Sequence, residues 1–251
     1  MKNVFLVTLI FLLAIGDTAF GQKFLPTIKR FSGSKPGQIT LVSGEKIDMT
    51  VKKIKRKKTF VYKIKGRRTD DNSQFKYKAE QIKEMSLAPA NWGKLMTLLE
   101  SDQSVLTKAK TDYGQINREF VNLYQERIKR GKKKPRMMQL LNPEFEGKVR
   151  VYDDSRATST QGIAVQGVNL TGGIKKSYYV RYKGKFGKIK KSQYKKLFKE
   201  YFGNCPALVA KYELSSWRDF PDHLYYYEQN CLEKGKTGLT STSSLNNNEE
   251  Q

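Results

Sequence analysis

Histidine occurs once in these 251 residues and cysteine twice, and 24 acidic residues face 48 lysines and arginines. Each shortage excludes something. A single histidine leaves little from which to build a His/Cys zinc site. The cysteines, Cys205 and Cys231, lie far from the C-x-x-C spacing of a thiol redox pair. No apolar run after residue 21 approaches the roughly 20 residues a membrane-spanning helix needs, so the mature chain has no transmembrane segment. The glycines around Gly162, Gly167, Gly172 and Gly173 fit neither a phosphate-binding P-loop nor a dinucleotide turn, and no small-molecule cofactor is expected. Hydrophobic content is 38%, below the usual range of about 45–50%. The 14 Tyr and 13 Phe compensate with large faces to bury, so the chain reads as folded and studded with lysine.

The first 21 residues have the three parts of an export signal. Lys2 supplies a positive start, Val4 to Ile15 is apolar apart from Thr8, and Ala19-Phe20-Gly21 places small residues before a cleavage at Gly21–Gln22. Its removal takes away Lys2 and Asp17, so the net charge stays at +24. No cysteine follows the apolar core, which argues against a lipid anchor. The protein is expected to be exported, whether periplasmic, envelope-associated or secreted. In an oxidising compartment Cys205 and Cys231 are most simply paired. A redox-active pair or metal ligands are the rival readings.

Alternation with a period of two predicts strands in residues 37–88. Ile39 and Leu41, then Ile47, Met49 and Val51, then Phe60, Tyr62 and Ile64, then Phe75, Tyr77 and Ala79 each fall on one face. Turn residues separate them at Ser43-Gly44 and at Asp70-Asp71-Asn72, and the basic run Lys55-Arg56-Lys57-Lys58 reads as the middle break. Four short antiparallel strands predict a small sheet or open barrel. Residues 89–135 read as a basic helical linker. Asn91 is placed to cap a helix carrying Trp92, Leu95, Met96 and Leu99. Asp112 and Gln115 have capping-box spacing before Ile116, Phe120, Leu123, Arg127 and Ile128, and Pro135 ends the segment.

Residues 136–234 form a second unit, α+β in kind. Residues 148–152 and 178–182 predict strands, with another expected within Ile163 to Val168. Ser192 is placed to cap a helix bearing Tyr194, Leu197, Phe198, Tyr201 and Phe202, stopped at Gly203. Pro206 opens a further helix, and a last one from about Pro221 puts Leu224, Tyr227 and Cys231 on one face. A Cys205–Cys231 bridge would clamp these last helices. Residues 22–36 form an N-terminal segment, and the polar residues 235–251 read as a disordered tail. The fold class expected is α+β throughout.

Gly37-Gln-Ile-Thr-Leu-Val-Ser-Gly44, Gly147-Lys-Val-Arg-Val-Tyr152, Phe202-Gly-Asn-Cys205 and Tyr227-Glu-Gln-Asn-Cys231, with a signal ending before Gln22, carry one resemblance. The chain resembles a broad class of uncharacterised exported proteins of the Bacteroidetes. The basic insert between Asn91 and Pro135 departs from that pattern. The resemblance implies an envelope location and a cysteine-paired C-terminal region, and supplies no reaction and no catalytic residues.

No catalytic residues are assigned. His223 beside Asp222, with Ser215 and Ser216 upstream, lacks a nucleophile elbow and reads as a helix-surface residue. Asp70-Asp71 and Asp153-Asp154 face opposite ways if on strands, which makes them poor acid/base pairs and good turn residues. Charge is the feature that asks for a partner. The anion-binding candidates are Lys52, Lys53, Lys55, Arg56, Lys57 and Lys58, then Lys63, Lys65, Arg67 and Arg68. To these are added Lys132, Lys133, Lys134 and Arg136, and Arg181 with Lys183 among tyrosines. Such a field attracts polyanions, and dispersed lysine also keeps a chain of low hydrophobicity in solution. Both readings stand. The function expected is a non-catalytic envelope protein, structural or interacting, that contacts an anionic envelope polymer or membrane surface, with a protein partner also open. The alternative is a cell-envelope hydrolase using two carboxylates.

Overall fold

The computed structural model describes residues 24–57, 60–91, 93, 118–128, 134–158, 164–165, 168–169, 175–212 and 215–232. The expected export signal with its cleavage at Gly21–Gln22, most of the helix expected from Asn91, the capping box expected at Asp112 and the tail of residues 235–251 lie outside them, as do Lys58, Lys132 and Lys133.

Six strands close into an antiparallel barrel. They are β1 (Pro36–Leu41), β2 (Lys46–Lys57), β3 (Phe60–Arg68), β5 (Ile82–Leu87), β6 (Val121–Ile128) and β7 (Lys134–Gln139). The order β2-β1-β5-β6-β7-β3 returns to β2 through the β2–β3 hairpin, while β4 (Gln74–Lys78) lies outside the ring along β3. Closure leaves no open edge around the ring. Its interior is apolar: Ile39, Ile47, Met49, Ile64, Met85, Leu87 and Val121 are all at or below 2% exposure.

Three expectations change here. The open sheet is a closed barrel, because β5, β6 and β7 supply the missing wall. Residues 121–128 are a strand rather than the end of a basic helix. Val121 and Leu123 alternate inward with Asn122 and Tyr124 between them, so the segment satisfies period two as well as 3.6, and pairing with β5 and β7 decides the matter. The basic run Lys55-Arg56-Lys57 is no break. It ends β2, where the residues point to solvent.

β2 and β3 outrun their barrel partners. β1 covers β2 only as far as Thr50, and β7 meets β3 only at Val61. Beyond those points β2, β3 and β4 continue as a three-stranded arm. Its inner side carries Ile54, Ile64 and Tyr77 in one row and Val51, Gly66 and Phe75 in the next. A Cβ at Gly66 would sit 2.6 Å from the Phe75 ring and 2.5 Å from the Thr50 carbonyl oxygen, so only glycine fits there.

The second unit is a three-stranded sheet, β8 (Val149–Tyr152), β11 (Ser177–Tyr182) and β12 (Lys185–Lys190), in the order β12-β11-β8. A two-residue turn at Lys183-Gly184 joins β11 to β12 with positive φ at both positions, the conformation that glycine accepts without strain. β9 (Ala164–Val165) and β10 (Val168–Asn169) form a short hairpin where one strand was expected. One face of the sheet packs on three helices, α1 (Tyr194–Phe202), α2 (Pro206–Lys211) and α3 (Phe220–Asn230). Gly203 ends α1 and Pro206 opens α2 as expected, but Gln193 rather than Ser192 holds the N-cap position of α1. The Cys205–Cys231 disulfide joins the start of α2 to the end of α3 with Cα atoms 5.5 Å apart. No helix among the described residues is long and apolar enough to cross a membrane.

The other face of this sheet meets the barrel through Phe60, Met138, Leu140, Tyr152 and Tyr179. The N-terminal segment stitches the two units together. Phe24 inserts its ring among Phe145, Tyr178 and Phe220, whereas Ile28 belongs to the barrel core.

Candidate polyanion-binding face

The outer side of the arm follows from its register. Direct partners in an antiparallel pair point to the same side. Lys53 stands opposite Lys65, which stands opposite Lys76, and Lys55 opposite Lys63 opposite Lys78. Six lysines thus form a two-by-three lattice on one sheet face, extended along the middle strand by Arg67, whose partners are Thr50 and Gln74. Strand geometry sets the spacing at about 4.8 Å across strands and about 6.7 Å along them. Five of the six are exposed and Lys63, at the centre, is half-buried. Partial desolvation, with the neighbouring ammonium groups of Lys76, Lys55 and Lys65, holds the Lys63 pKa below the ordinary lysine value. Among the described residues Glu80, 3.3 Å from Lys78, is the sole carboxylate that pairs with the six.

Like charges placed directly opposite destabilise a sheet. Lysine on edge strands commonly guards against strand addition, which accounts for Lys53, Lys55, Lys76 and Lys78. It does not account for Lys63 and Lys65, since the middle strand is paired on both sides.

The remaining candidates are placed elsewhere. Lys52 sits in the bulge between Val51 and Lys53, and Lys57 ends β2. Arg56 donates to the Lys29 carbonyl at 2.8 Å, and Arg68 pairs with Glu45 at 2.7 Å on the opposite side of the arm. Lys134 and Arg136 lie on β7, with Arg136 donating to the Pro135 carbonyl. Lys183 occupies the β11–β12 turn against the Tyr182 ring. Arg181 is structural, because it forms a two-pronged ion pair with Glu126, a carboxylate 3% exposed on β6. Sequence reasoning missed Lys76 and Lys78. The signal was there: they alternate with Phe75 and Tyr77, the apolar face of β4.

The adjacent carboxylates Asp153 and Asp154 do not act as an acid/base pair. Asp153 and Asp154 are 3% and 0% exposed, so both are interior residues, and each is committed to cations and hydroxyls; Asp154 also opens a turn, as expected, its carbonyl accepting from the Ala157 amide at 2.8 Å. Asp153 accepts from Thr27 Oγ1 and Ser155 Oγ and pairs with Lys175. Asp154 accepts from Ser177 Oγ at 2.7 Å and pairs with Lys188. Burial works against ionisation of Asp154, but hydrogen bonds from Lys188 and Ser177 outweigh it and hold the pKa below the usual carboxylate value. His223 is likewise an interior residue rather than a helix-surface one. It is fully buried, with Nδ1 2.7 Å from the Tyr194 hydroxyl and the rings of Phe198 and Tyr212 edge-on to it. Burial lowers its pKa to about 4. Among the described residues no three His, Cys, Asp or Glu side chains are grouped to hold a metal ion.

Comparison with protein-family models, with curated proteins and with solved structures gives no match, so the functional argument rests on the geometry alone.

Proposed function

We propose that this is a non-catalytic interaction protein of the cell envelope or its surroundings, which grips a linear anionic polymer on the outer face of the β2–β3–β4 arm. The lysine lattice is the observation that carries this reading. Six ammonium groups lie on one face with one carboxylate paired to them among the described residues, and two of the six stand on a strand where edge protection gives no reason for charge. The export signal and the Cys205–Cys231 bridge support a location outside the cytoplasm. A polymer suits the face better than a membrane does. Residues at the lattice positions are Lys, Arg, Thr and Gln, without the aromatic or aliphatic anchors that an interfacial surface inserts among lipids.

Titration with a sulfated or phosphate-bearing polymer and, separately, with anionic vesicles tests the reading. Saturable binding to the polymer that weakens steeply with salt is expected, because binding releases counterions. Binding to vesicles alone would replace the polymer with a membrane surface, and binding to neither would leave the lysines a solubilising coat.

A further inference from the structure

A second cluster of cations lies on the C-terminal unit and differs from the arm in shape. Arg156, Lys176, Lys188, Lys190 and Lys191 line a groove of about 500 Å3, together with the hydroxyl residues Thr158, Ser177 and Ser192. Three chain segments converge there. The register of β11 and β12 sets Ser177 opposite Lys190. The Lys191 amide donates to the Lys176 carbonyl at 2.9 Å, and the Lys176 amide to the Thr158 carbonyl at 2.9 Å. These bonds fasten the three segments side by side.

Asp154 holds the floor. Its buried carboxylate accepts from Ser177 Oγ, from Lys188 and, at 3.2 Å, from the Arg156 amide, while its carbonyl accepts from the Ala157 amide at 2.8 Å. One interior anion thus positions all three walls before any ligand arrives. It offsets one of five cations and leaves the groove positive. Ser177 gives its proton to Asp154 and acts as a positioning residue. The Arg156 guanidinium rests over the Phe60 ring at 5.5 Å. Lys176, Lys190, Lys191 and the Ser192 hydroxyl remain as donors, and all four residues are exposed.

The geometry points to a discrete phosphate-binding site in this groove, for a phosphate group that is free or carried on a small unit such as a sugar. Converging ammonium and hydroxyl donors match the oxygens of a tetrahedral dianion. The volume falls within the range of about 300–1,000 Å3 typical of small-ligand sites. A concave, pre-positioned cluster of this kind selects a compact anion, whereas the flat lattice of the arm suits an extended one. The site stands independently of the polymer reading.

The test is an amide NMR titration of the folded, disulfide-bonded chain at constant ionic strength in chloride, with inorganic phosphate in one arm and glucose 6-phosphate in the other. Saturable shifts at the Thr158, Ser177, Lys190 and Ser192 amides are expected. Tighter binding of glucose 6-phosphate assigns a carried phosphate, and equal binding assigns the free ion. K190Q/K191Q leaves the Asp154–Lys188 pair intact and should weaken binding by about tenfold or more, the scale of lost charge-assisted bonds. K53Q/K65Q, on the arm, should leave phosphate affinity unchanged. Absence of saturable shifts at the groove, or equal loss in the two double variants, would overturn the proposal.

Discussion

The barrel arm and the C-terminal unit use the same basic residues in opposite ways. On the arm, lysine faces lysine across two strand pairings, with Glu80 alone beside them among the described carboxylates. In the C-terminal unit Lys175, Lys188 and Arg181 each meet a carboxylate that is 4% exposed or less, on Asp153, Asp154 and Glu126. A side chain fixed on a buried partner belongs to the architecture. One held among its own kind costs stability where it stands, and its reason lies with something that is not in the chain. Net charge alone does not separate these cases; register does.

Breaking a committed pair has the largest expected effect. Lys188→Met leaves the Asp154 carboxylate, which is fully buried, without its cation. A loss of about 4 kcal/mol in urea unfolding is expected, against no loss for an arm lysine. Next comes the disulfide. The double replacement Cys205→Ala, Cys231→Ala opens a loop of sequence separation 26, and loop entropy sets the expected loss at about 3.5 kcal/mol in the same assay.

Acid should reach the C-terminal unit through His223. Its folded-state pKa, about 4, lies below the ordinary 6.5, so the fold favours the neutral ring. As pH falls through that window the unfolded chain takes up the proton first. The contribution is complete above pH 6.5 and lost progressively toward pH 4, about 3 kcal/mol in all. Denaturation across this range should show the slope in the native chain and a flatter one in His223→Phe. The smallest effect has the opposite sign. K63T/K65T removes four opposed like-charge contacts and adds β-branched residues to β3, so the thermal midpoint should rise slightly while polymer binding falls. A drop in midpoint would mean that these lysines support the arm rather than burden it.

Alternating residues made β1 to β4 legible in the sequence, and the helical stripes from Tyr194, Pro206 and Pro221 were legible for α1 to α3. β6 was misread because Leu123, Arg127 and Ile128 satisfy a helical period also, and only the gap in the barrel wall chooses between the two. β12 was hidden in a basic stretch, since Lys185, Lys188 and Lys190 carry no apolar alternation beyond Phe186 and Ile189. The burial of His223 and Asp154 could not be read locally. Their partners, Tyr194 for one and Ser177 with Lys188 for the other, lie 23 to 34 residues away in the chain. The arm face was half visible: the lysines of β2 and β3 stood out as clusters, but their stacking depends on a bulge at Lys52 that sets Lys53 against Lys65.

The most direct test of the lysine lattice is retention on a heparin column as salt is raised, with the native chain compared to K53Q/K63Q/K65Q/K76Q. The account predicts elution of the native chain above physiological salt and a large shift to lower salt in the variant, well beyond that of a control lacking four other exposed lysines. Elution of the native chain below physiological salt, or equal shifts in the variant and the control, would contradict it.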